Sequence, residues 1–159
     1  MEKFTNIVNE GNIQKLKLGI DIHGVINNLP ELFSFITRLI VENGGEVHVL
    51  TGASWTPEVD KELQSYGIHY THRLSVYDYL IEHNSPTIGE IQFPDGTIQK
   101  KFNDEEWDKV KGTYCKDNGI HLHIDDTLIY NEYFSTPFAR LFTHTNTPKA
   151  GHKDVRHQK

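Results

Sequence analysis

The chain has 159 residues, the length of one domain around one core. Apolar residues make up 36%, and 8 Phe, 7 Tyr and 2 Trp supply the bulk that a compact core needs. A formal charge of −6 argues against a wide basic face for nucleic acid or anionic lipid, but not against a small phosphorylated substrate whose charge a divalent cation offsets.

No apolar run approaches the ~18 residues of a membrane span. The start, MEKFTNIVNEGNIQKLK, lacks the apolar stretch of a secretory signal. Cys115 is the single cysteine, which excludes an internal disulfide and a thiolate-rich zinc cage. The expectation is a soluble, cytoplasmic chain with no membrane partner. It divides into a loose segment over 1–14, one domain over 15–144, and a polar tail over 145–159.

In chain order, apolar segments at Leu16–Ile22, Glu46–Thr51, Ile68–Thr71 (the weakest), Ile120–Asp125 and Phe138–Phe142 read as five strands. Between the first two, Leu32, Phe33, Ile36, Leu39 and Ile40 recur at helical spacing, and Asn43-Gly44-Gly45 stops the run. Pro57 opens a second helix and Gly67 closes it. A third covers Ser75–His83. A fourth begins at Asn103 or Asp104, with Glu106 placed for a capping box, and ends before Asn118-Gly119. Strands alternating with helices predict βαβ units and a central parallel sheet of about five strands. The stretch Thr87–Gln99, turning at Pro94-Asp95-Gly96, reads as a small β-hairpin inserted into that α/β frame.

Asp21, Thr51 and the pair Asp125-Asp126 end three of these strands. In an open parallel sheet the carboxyl ends share one edge, where ligands bind, so these residues can converge. Carboxylates gathered in one crevice repel unless a proton or cation lies between them. All-oxygen ligation suits Mg²⁺ before Ca²⁺ or Mn²⁺. The Thr51 hydroxyl can donate to a phosphoryl oxygen. One acid after an apolar run is more often a cap or turn residue, but several at matching strand ends, in this order, weaken that reading.

LGIDIHGVI, VHVLTG and HIDDTL resemble motifs I, II and IV of the haloacid dehalogenase (HAD) superfamily of phosphohydrolases, over roughly Leu16 to Phe142. The resemblance implies a Rossmann-like three-layer sandwich and an Mg²⁺-dependent phosphatase. In it Asp21 attacks phosphorus and the resulting aspartyl-phosphate is hydrolysed by water. It further implies a metal site of Asp21, the His23 carbonyl, Asp125 and Asp126, with Gly24, Thr51 and Gly52 at the substrate phosphate. The chain departs from the family at His23, where an acid normally protonates the leaving group. Imidazole, with a pKa of ~6.5, could serve near neutrality. Alternatively, His23 marks an impaired module that binds Mg²⁺ and a phosphorylated ligand without turnover. A receiver domain, which also clusters acids at strand ends, places them in a different order.

Motif III, a lysine, is left among Lys100, Lys101, Lys109 and Lys111, with Lys109 chosen narrowly although Lys111 lies four residues from Trp107. His121 and His123 alternate with Asp125 along one strand and read as buried histidines with ordinary partners rather than a zinc site. His48 is expected to face away from Thr51, and Tyr77, Tyr79, Tyr130, Tyr133 and Phe134 to pack. No segment is long enough for a cap domain. The open crevice therefore suits a bulky substrate such as a nucleic-acid end or a protein phosphoryl group, or a small ester if a second copy of the chain closes the site. A polynucleotide-end phosphatase and a nucleotidase would both resemble this chain.

Overall fold

The computed structural model describes residues 15–142, so the expectations for 1–14 and 145–159 lie outside the described residues. Lys17–Ile20 forms β1, Pro30–Glu42 α1, Glu46–Thr51 β2, Pro57–Ser65 α2, His72–Ser75 β3 and Val76–Glu82 α3. Thr87–Gln92 (β4) and Ile98–Phe102 (β5) follow, then Asp104–Asp117 (α4), Leu122–Asp125 (β6) and Phe138–Arg140 (β7). Among the described residues β3-β2-β1-β6-β7 make one sheet, parallel throughout, and β4-β5 an antiparallel hairpin. The result is an α/β Rossmann-like sandwich. No helix in the described residues is long and apolar enough to cross a membrane.

Alternation along β2 divides the core. Val47 and Val49 face the side packed with Ile20, Ile22, Phe33 and Leu63, under α1 and α2. Leu50 faces Val76, Leu80, Val110 and Cys115, under α3 and α4. A sheet covered on both faces needs such near-continuous apolar strands. On α1, Phe33, Ile36, Thr37 and Ile40 share the inward face at helical spacing, while Leu32 and Leu39 point outward. The Ser75 hydroxyl caps α3 by accepting from the Asp78 N–H at 3.0 Å. Asn103 caps α4 by accepting from the Glu105 N–H at 2.8 Å, whereas Glu106, expected to complete a capping box, pairs with Lys109.

The third strand was expected at Ile68–Thr71, and the structure moves it to His72–Ser75. Gly67, at φ +68°, turns the chain out of α2, and the Ile68 N–H donates to Leu63 O at 3.0 Å. Ile68 is thereby drawn into the α2 end of the core and pairing starts later. The hairpin reaches three residues beyond Gln99, to Phe102. Phe102 is buried and meets the Tyr77 ring edge-on, anchoring two strands whose other residues are largely exposed.

Gly112 sits inside α4 where a Cβ would lie 2.2 Å from the Tyr133 carbonyl oxygen, in the 3₁₀ segment Leu128–Tyr133 that follows β6. Helix propensity alone favours alanine there by about 1 kcal/mol. A backbone clash cannot be relieved by a rotamer change, so Gly112→Ala is expected to lower stability by more than that gain. Thermal unfolding checks the sign: a Tm at or above wild type contradicts this packing.

Candidate active site

The carboxyl edge of the sheet gathers the acids. The Asp21 N–H donates to Ile124 O at 3.0 Å, fixing the residue after β1 against β6. From α4, Lys111 reaches in: its ammonium donates to Asp21 Oδ1 at 2.9 Å and to Asp125 Oδ2 at 2.7 Å. Lys111 is only 2% exposed, and Asp125 and Asp21 are buried as well. Asp125 Oδ1 accepts from the Thr127 N–H at 2.9 Å, and Oδ2 lies 3.1 Å from His123 Nε2. Asp126 accepts from the Thr127 hydroxyl at 3.1 Å. Tyr130 lays its ring 5.0 Å from the Lys111 ammonium, a cation–π contact.

Two glycines make this approach possible. A Cβ at Gly24, where φ is +82°, would lie 2.2 Å from Asp126 Oδ2. A Cβ at Gly19 would lie 2.8 Å from His123 Nδ1. The turn after Asp21 is held by the Gly24 N–H donating to Asn27 Oδ1 at 2.7 Å and by Asn28 Nδ2 donating to Gly24 O at 3.0 Å.

Carboxylate oxygens of Asp21, Asp125 and Asp126 lie within 4.8 Å of one another. Burial pushes the Asp21 carboxyl up to about 7; Lys111 pulls it down, and Asp125 and Asp126 add to the rise. Burial opposes charge on Asp125 too, yet Lys111 and His123 outweigh it and hold that carboxyl below the usual range. For Lys111, Asp125 and Asp21 outweigh burial and raise the ammonium above the ordinary lysine value. Burial and the Asp125 charge raise Asp126. Three acids thus face one ammonium. The unbalanced charge and the oxygen-only donor set fit a hard divalent cation such as Mg²⁺.

The structure therefore brings together Asp21, Gly24, Asp125 and Asp126. Thr51 ends β2 at the same edge, fully buried, its hydroxyl accepting from the Ala53 N–H at 3.4 Å. Gly52 lies under Trp107, whose Cζ2 would be 3.1 Å from a Cβ there. The His23 side chain is exposed on the turn. Lys109, the expected motif III lysine, does not reach the acids: it lies on the outer face of α4 against Glu106. Lys111 takes the inward place because it shares a face with Trp107 and Cys115, four residues away on either side. Lys100 and Lys101 are exposed on β5.

Two participants escaped the reading of the sequence. His123 is buried, as expected of a strand histidine, but its Nε2 lies beside Asp125; their alternation on one strand was the signal. Tyr130 had none. Tyr77, Tyr79 and Phe134 pack on the α4 side of the core. His121 Nδ1 accepts from the Lys17 N–H at 3.0 Å, far from a ligand role. His48 lies on the α4 side of β2, away from Thr51. The chain matches no family model, no curated protein and no solved structure.

An Asp in the unfolded chain titrates near ~3.9. Folded Asp21 therefore binds its proton more tightly, and its contribution to stability falls as pH rises through about 7. Burial lowers His48 and His123, which gives the opposite slope, so the comparison must be with Asp21→Asn. In chelator, the stability of Asp21→Asn relative to wild type is expected to increase between about pH 5 and pH 8, and saturating Mg²⁺ to suppress that trend. Urea unfolding across this range checks it; a difference that stays flat in chelator rules out the raised carboxyl.

Proposed function

We propose that the chain is a Mg²⁺-dependent HAD-like phosphatase that hydrolyses a phosphate monoester through an aspartyl-phosphate on Asp21. The observation that carries this reading is the convergence of Asp21, Asp125 and Asp126 on the buried Lys111 ammonium at the carboxyl edge of a parallel sheet. Asp21, Asp125, Asp126 and the His23 carbonyl would hold Mg²⁺. When bound, the ion supplies positive charge that favours ionised Asp21 and tolerates a phosphate dianion beside the acids.

In the first step an Asp21 carboxylate oxygen forms a bond to phosphorus as the ester oxygen leaves. The leaving oxygen takes a proton from the His23 imidazolium at the exposed turn. In the second step neutral His23 accepts a proton from water, whose oxygen attacks phosphorus. Inorganic phosphate departs and the Asp21 carboxylate returns. Lys111 keeps Asp21 and Asp125 in fixed register throughout and adds positive charge near the transferring group. The Thr51 hydroxyl and the Gly52 N–H are the donors at the end of β2 suited to phosphoryl oxygens. Among the described residues no inserted domain covers this edge, which favours a nucleotide or polynucleotide end as substrate, or a small ester enclosed by a second copy of the chain.

A screen over nucleotides, sugar phosphates and 3′- or 5′-phosphorylated oligonucleotides, with and without Mg²⁺, tests the reading. Asp21→Asn is expected to abolish phosphate release. Lys111→Met is expected to lower kcat by ~10²–10³-fold, the scale of losing one preorganised charge donor, whereas Lys109→Ala is not. Full turnover in Asp21→Asn removes the nucleophile. His23→Ala keeps the backbone carbonyl and is expected to lose ~10²–10⁴-fold on a poor leaving group, and far less on an activated aryl phosphate. Wild type inert on every ester while His23→Asp turns over would instead identify a binding module.

A further inference from the structure

We propose that Glu46, His48 and His72 form a second metal site, for a zinc-class divalent ion, at the amino edge of the sheet. The three side chains offer ligand atoms within 4.8 Å of one another. Glu46 Oε2 lies 2.9 Å from His48 Nε2 and 4.0 Å from His72 Nδ1. Tetrahedral zinc, with bonds of ~2.0–2.2 Å, spaces its ligand atoms roughly 3.3 Å apart, between those two separations.

Register explains why these residues meet. His48 on β2 is the Cα partner of His72 on β3, and Glu46 lies two residues before His48, on the same face. His48 is buried, and its other nitrogen, Nδ1, lies 2.8 Å from the Tyr114 hydroxyl on α4. An outer partner of this kind fixes the ring orientation of metal-binding histidines. Glu46 and His72 are more open, with His72 at 48% side-chain exposure on the edge strand, so an ion can enter from solvent.

Two features define what binding requires. The His48 and His72 rings are stacked, with centroids 4.2 Å apart and planes within 7°. A shared ion must lie near both ring planes, so His72 has to turn, and in doing so it leaves the Thr71 hydroxyl, now 2.9 Å from its Nδ1. Lys17 Nζ also claims Glu46 Oε2 at 3.0 Å, and being partly exposed it can turn to water. Three protein ligands leave one position for water. The ion would tie edge strand β3 to β2.

This site is separate from the carboxylates. It lies three to five residues back along β2 from Thr51, roughly 10–16 Å at ~3.3 Å per residue. Two imidazoles in the donor set favour zinc over Mg²⁺, so the two ions sort between the sites.

The experiment titrates Zn²⁺ into the full chain by calorimetry with Mg²⁺ held saturating, and repeats the titration with His72→Ala, an edge substitution whose folding is checked by circular dichroism and by an unchanged Mg²⁺ response. Wild type is expected to take up zinc with micromolar affinity or better and to melt at higher temperature with it. His72→Ala is expected to weaken that binding by more than ~100-fold, beyond the ~10–100-fold effect of losing an outer partner. Co²⁺ in place of zinc is expected to give the visible bands of a low-coordinate ion in wild type and to lose them in the variant. Equal affinity in both proteins, as binding by His144, His152 or His157 alone would produce, overturns the site. So does wild type that takes up no zinc at micromolar concentration.

Discussion

An ammonium group buried between two carboxylates holds the arrangement together. Taking Lys111 out of water costs several kcal/mol, and only close partners repay it. Asp21 and Asp125 do so at 2.9 and 2.7 Å, and in doing so they lock the ends of β1 and β6 to α4. The neighbouring features serve this triad. His123 and the Thr127 N–H occupy the remaining capacity of Asp125, Gly19 leaves space for His123, and Gly112 lets the 3₁₀ segment close over α4. Buried ion clusters can often be replaced by apolar residues with little loss of stability. Folding alone therefore gives little reason for two acids and a lysine at this edge, in keeping with the proposed chemistry, which needs carboxylates in fixed register.

The sheet was legible because its interior strands carry apolar runs that stop at polar residues: Ile20 gives way to Asp21, Leu50 to Thr51, Ile124 to Asp125. The same logic failed for β3. Ile68 looks like a strand residue by hydrophobicity, but its apolar side chain serves the end of α2, while His72 and Arg73, which pair as strand, are exposed and polar. An edge strand pairs on one side only, so its sequence carries a weaker pattern.

The site was half legible for a similar reason. Acids at strand ends are placed by the sheet, whose period is visible in the sequence. The lysine comes from a helix lying over that sheet, where a change of two residues moves a side chain from the inward face to solvent. Trp107, Lys111 and Cys115 mark one face of α4, and Lys109 falls outside it; helical phase decides between the lysines where distance along the chain does not. His23 shows the limit in the other direction. Its position after Asp21 was evident, but exposure on a turn pinned by Asn27 and Asn28 is a property of the folded chain.

Charge balance constrains the order of events at the carboxyl edge. Asp21, Asp125 and Asp126 outnumber the Lys111 ammonium, and burial, with the two neighbouring acids adding to it, makes Asp21 hold its proton up to about 7. A protonated Asp21 is no nucleophile, and an ionised one beside two further acids repels a phosphate dianion. The proposed reaction therefore needs a divalent cation among these oxygens before a phosphate ester can approach. The same requirement assigns different tasks to Lys111 and His23. Lys111, buried and committed to two carboxylates, cannot be given up as a proton donor without stranding them, so its work is positional and electrostatic. In the proposed reaction His23, exposed on the turn, is the group placed to exchange a proton with a leaving oxygen and then with water. A histidine at that place is thus compatible with the proposed turnover, because the buried lysine already supplies the fixed charge.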